Sequence, residues 1–399
     1  MNFIAEEIQG FIDRIKVHEK TVEHWGESDT LELGFTFSFP VAQTAIDSGT
    51  LIHWTKDYEC SGAQGNDIVK LLQDGLERKK VNVHVAALIN DTVGTLLAHS
   101  YSNRGTYISA ILGTGTNGAY VEDTSNIEGI DKSSKEMLIN IEWGNFSNCR
   151  KCLPVSDDFD DPVDNGSPNP GIHRFEKMIS GMYLGEITRN VLVYLIRERV
   201  LFDGNKSAEM NKQWAFKTEF MSKIEEDDDE LTSTKGVLKE LGISSSRRQD
   251  QEIVKFVCKL VGERAASLSA MAIAAVIRQC LEKGSLRGHN YPLKLFAGDK
   301  TVDPNGSMMD IQVGIDGSVF EHYPNFKENM EKGLVELLGE RAKNIVKLTA
   351  EKYDMNFLHF FSPHIEEWIG TNMFFVGVQT RDGSSVGSTG STDGHKTLP

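Results

Sequence analysis

The chain has 399 residues, of which 39% are hydrophobic and 25% charged, with a formal net charge of −16. That is enough apolar material for two or three packed domains, and it excludes disorder as the default state. The acidic balance argues against a nucleic-acid partner, because Lys and Arg supply the contacts that dominate polyanion affinity; any phosphate site must be local.

No apolar run approaches the ~20 residues of a bilayer span. The opening residues, Met1 to Glu7, lack the charged-then-apolar order of a secretory leader, so a cytoplasmic protein is expected. Cys60, Cys149, Cys152, Cys258 and Cys280 form an odd, sparse set that suits a reducing compartment. Cys149 and Cys152 make a CxxC with no second pair, which reads as free thiols rather than zinc ligands, and no metal ligand is assigned.

In chain order, Phe3, Ile4, Ile8, Phe11, Ile12 and Ile15 recur at helical spacing, predicting an amphipathic helix over the first nineteen residues with those side chains as its buried stripe. Leu31–Phe39 alternates as a strand does, and Pro40 ends it. A loop bearing Trp54-Thr55-Lys56 follows. Residues 68–79 read as a helix, 81–89 as a strand ending at Asn90-Asp91, and 95–100 as a short helix. Residues 107–122 read as a hairpin turning at its glycines, with 137–141 as a further strand. Residues 153–170 read as loop, 175–202 and 251–282 as long helices, and the acidic run Glu225 to Glu230 as a solvated loop rather than a cation site. Strands are expected at 293–297 and 311–315 and a helix at 326–348. An aromatic-rich stretch and a mobile Gly/Ser/Thr tail from 382 close the chain. Strands alternating with helices mean an α/β fold.

Two segments carry chemistry. Asn90-Asp91 places a carboxylate at the tip of an apolar strand; it is also a common turn pair, and only context separates the readings. A short way downstream, Gly113-Thr114-Gly115 is a turn of the kind that lets backbone amides approach a phosphate, although plain hairpins use it too. Open α/β sheets put ligands at the C-terminal ends of their strands, which is where both fall. Together they suggest phosphoryl transfer to a hydroxyl, with Asp91 as general base. Asp316-Gly317-Ser318 is a weaker signal, since it is a frequent turn sequence.

The motifs SFP (38–40), WTK (54–56), SGAQGND (61–67), LINDTVGT (88–95), GTGTN (113–117), IEWGNF (141–146), FEKMISGMYLGE (175–186) and VGIDGSVF (313–320) stand in the order found in hexokinases. Over residues 1 to about 348 the chain most resembles the fungal hexokinase and glucokinase branch. The resemblance implies an actin-like (ribonuclease H-like) ATPase fold, two lobes around a cleft, with the remaining part of the small domain at 1–89, the large domain at 90–350 and a divergent tail at 351–399. It implies ATP with Mg²⁺ and a hexose as substrates, and Asp91 as the base for the sugar 6-hydroxyl. Ser38, Thr55, Lys56, Asn90, Asn117, Glu142 and Glu186 then match sugar contacts. Thr114 matches a phosphate contact, and Gly317 with Ser318 the nucleotide turn. A buried carboxylate at a strand end costs free energy without partners, which favours a ligand role for Glu142. A first-turn glutamate such as Glu186 also suits the helix dipole.

The sequence departs from the family in two places. It has no Asp-x-Gly-Gly-Thr-Asn phosphate loop, so the smaller lobe is expected to be incomplete. RDGSSVGSTGSTDG (381–394) also lacks the small apolar helix start of the family's last glycine motif. These departures leave a second reading, a non-catalytic hexose-binding or regulatory protein or an inactive fragment. Oligomeric state and hexose preference are left open by the sequence.

Overall fold

A computed structural model of the chain describes residues 1–18, 30–54, 60–103, 105–130, 132, 134–146, 158–286, 310–350 and 373–374, with side chains left aside at 14–18, 101–102 and 373–374. The chain forms two compact units, which among these residues are Met1–Gly94 with Met373–Phe374, and Thr95–Ala350. The division falls within a helix just after Asp91, so Asn90 and Asp91 group with the first unit.

The first unit begins with α1 (Asn2–His18), followed by β1 (Leu31–Thr36), β2 (Val41–Ala45), β3 (Ser48–Leu51), α2 (Ile68–Lys79), β4 (Val83–Ile89) and the start of α3 (Asp91–Ser102). Its main sheet has the order β10-β1-β4, where β10 is Met373–Phe374, and every pairing in it is parallel. The hairpin β2–β3 was not foreseen; it lies between the expected strand and the Trp54 loop. Ala5, Ile8 and Ile12 of α1 bury one stripe, which packs with Leu72 and Leu76 of α2 and with Leu33, Phe35 and Val85 of the sheet. Phe3, expected in that stripe, is 64% exposed. Asp67 caps α2 by accepting the Val69 and Lys70 amides, which satisfies donors that a helix start leaves open.

The second unit contains β5 (Thr106–Leu112), β6 (Thr116–Asp123), β7 (Glu136–Asn140), α4 (Asp160–Asn165), α5 (Arg174–Ile179), α6 (Gly181–Arg197), α7 (Thr218–Glu225), α8 (Thr232–Glu240) and α9 (Arg248–Lys283). After them come β8 (Ile311–Asp316), α10 (Ser318–His322), α11 (Phe326–Leu338), α12 (Ala342–Ile345) and β9 (Val346–Ala350). The sheet order is β7-β6-β5-β8-β9, antiparallel from β7 to β5 and parallel from β5 to β9. That mixed five-stranded order is the expected actin-like arrangement. β5 and β8 are central, and their apolar residues Ile108, Ala110, Leu112, Val313 and Ile315 are buried.

Several expectations change here. The region 153–170 includes α4, whose Asp160 and Asp164 are buried against cations. The helix expected over 175–202 breaks at Ser180, whose ψ of 152° cannot continue a helix, giving α5 and α6. The helix expected over 326–348 stops at Leu338, because Gly339 turns the chain at φ 91°, and Val346–Ala350 pairs with β8 instead. The acidic run is partly engaged: Asp227 caps α8 by accepting from the Ser233 and Thr234 amides, and Glu225 is pushed toward the protonated form by burial. Helix α9 is long and apolar enough to cross a membrane by length and composition, contrary to the expectation that no run approaches that length. Its Val254, Cys258, Ala265, Ile273 and Ile277 are instead core residues of this unit. The expected strand 293–297 and the tail from 382 lie outside the described residues.

Candidate active site

In the first unit, β1 and β4 run parallel with Thr36 paired to Ile89, and the Phe37 amide donates to the Ile89 carbonyl at 2.9 Å. The two strands therefore end together, and Ser38 and Asn90-Asp91 leave from adjacent C-terminal ends, where open sheets collect ligands. Ser38 is half-buried between the buried Phe37 and Phe39. Those rings are held by Trp54, with ring centroids 6.1 and 4.8 Å away, and the Trp54 indole donates to the Cys60 carbonyl. Asp91 opens α3. Its Oδ1 accepts from the Thr92 amide at 2.8 Å, and Asn90 Oδ1 accepts from the same amide at 2.9 Å. Asp91 thus stands in the first turn of α3, its Oδ1 also accepting from the Thr92 hydroxyl at 3.3 Å. Thr55 and Lys56 lie outside the described residues.

In the second unit, a polar cluster forms where β6 leaves the glycine turn. Asn117 is 8% exposed, and its carboxamide is fully used. Oδ1 accepts from the amides of Gly118 and Glu142, and Nδ2 donates to Asn140 Oδ1 and Glu142 Oε1, all within 2.7 to 2.9 Å. Asn140 Nδ2 donates to the same Glu142 oxygen at 2.7 Å. Glu142 sits at φ 57°, a left-handed conformation that a glutamate adopts only when its surroundings impose it. Trp143 follows it and lies against Gly118 so closely that a Cβ there would be 2.3 Å from the ring, and its indole donates to Thr116 Oγ1 at 2.9 Å. Gly118 is thus the residue that lets the IEWG segment dock beside Asn117.

A second carboxylate enters the same cluster from α5. Glu176 Oε2 accepts the Thr116 amide at 3.0 Å, next to Asn117, and its side chain approaches Gly144. Glu176 stands in the quoted FEKM motif but was not singled out from sequence. Glu186, which was, makes a different set of bonds. It is 1% exposed, takes a bidentate pair from Arg189 at 2.7 and 2.8 Å, and accepts the Trp214 amide at 2.7 Å. Both of its oxygens are engaged within the fold. The opposite charges of Glu186 and Arg189 three residues apart on one helix were a legible signal for that pairing.

The two glycine turns meet. Because β5 and β8 are parallel neighbours, Ile111 pairs with Asp316, and Gly113-Thr114-Gly115 and Asp316-Gly317-Ser318 leave the sheet at the same edge. Gly317 has φ 127°, and a Cβ on it would lie 2.4 Å from the Leu112 carbonyl group, so only glycine fits. Gly113 and Thr114 are held by the first turn of α6, whose Gly181 and Met182 amides donate to their carbonyls at 2.7 and 3.3 Å. Two tight turns that place backbone rather than side chains at the strand ends are of the kind suited to phosphate and nucleotide.

Beneath this cluster, α4 clamps the loop that leads into α5. Lys177 is 3% exposed and donates to Asp164 Oδ1 and to the Asn169 and Ile172 carbonyls at 2.7 to 2.8 Å. Asp164 also accepts from Arg174 and the Gly171 amide. Burial alone raises the Asp164 pKa, but the Lys177 ammonium and the Gly171 amide outweigh it, and the carboxyl is held below the usual range.

Two family models, each described as Hexokinase, match residues 1–101 and 107–354. Among curated proteins, the chain is 37% identical over 383 residues to a glucokinase of Aspergillus niger, covering 88% of this chain and 73% of that one. It is 37% identical over 350 residues to Hexokinase-5 of Oryza sativa subsp. japonica, covering 86% and 64%, and 38% identical over 300 residues to Hexokinase-3 of Mus musculus, covering 75% and 30%. The chain thus spans less than a third of the mammalian relatives' length. Among solved structures, a hexokinase from Schistosoma mansoni complexed with glucose is 30% identical, with a TM-score of 0.70, covering 88% of this chain and 71% of that one.

Proposed function

The chain belongs to the hexokinase family, and from that premise we propose that it is an ATP-dependent kinase for the 6-hydroxyl of glucose or a related hexose. The observation that carries this reading is the cluster around residues 116–118, where Asn117 and Asn140 hold the Glu142 carboxylate and Glu176 reaches the neighbouring Thr116 amide, so that carboxylate acceptors are available to sugar hydroxyls. In this reading Glu176, rather than Glu186, is the α5–α6 carboxylate that meets the sugar. The family motifs add Ser38, Asn90 and the WTK pair Thr55 and Lys56 as sugar contacts.

Asp91 is the general base: it takes the proton of the 6-hydroxyl as that oxygen bonds to the γ-phosphorus and the bond to the β–γ bridging oxygen breaks, releasing ADP. Thr114, Gly317 and Ser318, on the two adjoining turns, hold the nucleotide. Mg²⁺, carried mainly by phosphate oxygens and water, neutralises charge on the phosphates when bound. The cysteine set suits work in the cytoplasm.

The test is a coupled assay for glucose 6-phosphate, run beside calorimetric titration of glucose, on the chain and on Asp91→Ala. Expected are glucose binding by both proteins and turnover that falls by ~10³-fold or more in the variant, as for loss of a general base and its positioning. Glucose binding without turnover in either protein would favour the hexose-binding reading, and equal turnover in both would remove Asp91 from its role.

A further inference from the structure

We propose that Asn140 is a positioning residue for Glu142: its carboxamide, together with that of Asn117, fixes Oε1 of that carboxylate so that Oε2 is presented to a hydroxyl of the hexose. The proposal rests on the hexokinase reading above and adds a residue that no motif quoted from the sequence contains.

The orientation of every amide in this chain of bonds is fixed by the backbone. The Gly118 and Glu142 main-chain amides are donors, so the Asn117 atom they share is its oxygen. Its nitrogen therefore faces Asn140 and Glu142, which requires the Asn140 oxygen to face Asn117. That leaves the Asn140 nitrogen to donate to Glu142 Oε1, at 2.7 Å. Oε1 thus receives two N–H donors, whereas among the described residues no hydrogen bond is made to Oε2.

Local geometry brings Asn140 there. It is the last residue of β7, paired with Ala119 of β6, and two residues later the chain turns through φ 57° at Glu142. Asn140 is itself exposed, so packing does not force the bond. An unrestrained glutamate samples several rotamers, and binding a sugar would freeze them at an entropic cost. With one oxygen already doubly bonded, that cost is met during folding, and the second oxygen is pre-organised as an acceptor.

The experiment is calorimetric titration of glucose into the 399-residue chain, Asn140→Ala, Glu142→Gln, their double variant, and Asn140→Asp, with thermal midpoints measured alongside. Expected is an affinity loss of about tenfold in Asn140→Ala, in line with one hydrogen bond to a charged group, and a further loss of less than about twofold when the same change is made in Glu142→Gln. Asn140→Asp should also bind glucose more weakly, because a carboxylate cannot donate to Glu142 Oε1. Unchanged affinity in Asn140→Ala overturns the proposal, as does the same tenfold loss in both backgrounds, which would mean direct contact with the sugar. If the unmodified chain binds neither glucose, mannose nor fructose, the hexose reading falls and takes this proposal with it.

Discussion

Two glutamates ten residues apart in one motif have opposite fates, and the difference lies in their partners. Glu186 has both oxygens committed to Arg189 and the Trp214 amide, while Glu176 reaches the Thr116 amide beside Asn117. Removing one member of a buried, bidentate pair strands the other charge, which costs ~3–5 kcal/mol. Glu186→Ala should therefore lower stability by about that amount in urea unfolding. Glu176→Gln should leave the unfolding midpoint nearly unchanged but weaken glucose binding about tenfold, the effect of losing one charged hydrogen-bond acceptor. If instead Glu186→Gln, which keeps the side chain's shape, abolished glucose binding in a folded protein, the assignment of the two residues would be reversed. Asp91 was legible as a candidate at this scale, because a carboxylate at the end of an apolar strand is local information. Asn140 was not: nothing in the string Ile139-Asn140-Ile141 says that its amide meets Glu142.

At the scale of elements, the sequence located α2, β4, β8 and the β5–β6 hairpin to within a few residues, since each has a clear apolar period and a glycine, proline or capping residue at its ends. It overran at 175–202 and 326–348, where helical periodicity continues across a break that the backbone makes at Ser180 and Gly339. The break at Ser180 matters for the site, because it frees α5 to carry Glu176 at its own angle while α6 donates its first amides to the glycine turn. Helix α4, hidden in an Asp- and Pro-rich stretch, exists through its ion pairs with Arg174, Lys177 and Arg264. The Asp164 carboxyl, held below its usual pKa in the folded state, binds fewer protons there than in the unfolded chain. Its contribution to stability is therefore complete above the unfolded value near 3.8 and is lost as pH falls through the folded one. Asp164→Asn should be less stable than the unmodified chain at pH 7, and the gap should narrow as pH drops below about 4; acid titrations followed by circular dichroism test this. A constant gap down to pH 2 would mean that the charge of Asp164 is not what matters.

For the whole molecule, two cores form from separate parts of the chain; Ser38 and Asp91 follow the C-terminal ends of β1 and β4 in the first unit, and the polar cluster of the second lies at the start of β6 and the end of β7. A ligand that binds the folded state alone stabilises it by mass action, about 2.7 kcal/mol at a concentration 100 times its dissociation constant. Glucose at that level should raise the thermal midpoint by on the order of 5 °C, with sucrose at equal concentration as the control for osmolyte effects; no shift would contradict the hexose reading. The sequence by itself determined the α/β class, the order of eight motifs, the acidic balance that keeps any phosphate site local, and the candidates Asp91, Asn117 and Glu142. The class and the charge follow from composition and periodicity, Asp91 from its place at the end of an apolar strand, and Asn117 and Glu142 from the resemblance of their motifs to those of hexokinases. Only the tertiary structure decided that two glycine turns some two hundred residues apart share one sheet edge, that Glu186 is bonded to Arg189 and the Trp214 amide while Glu176 reaches the Thr116 amide, and that Asn140 shares the Glu142 oxygen. Those outcomes depend on parallel pairing of distant strands and on which face of each helix meets the sheet.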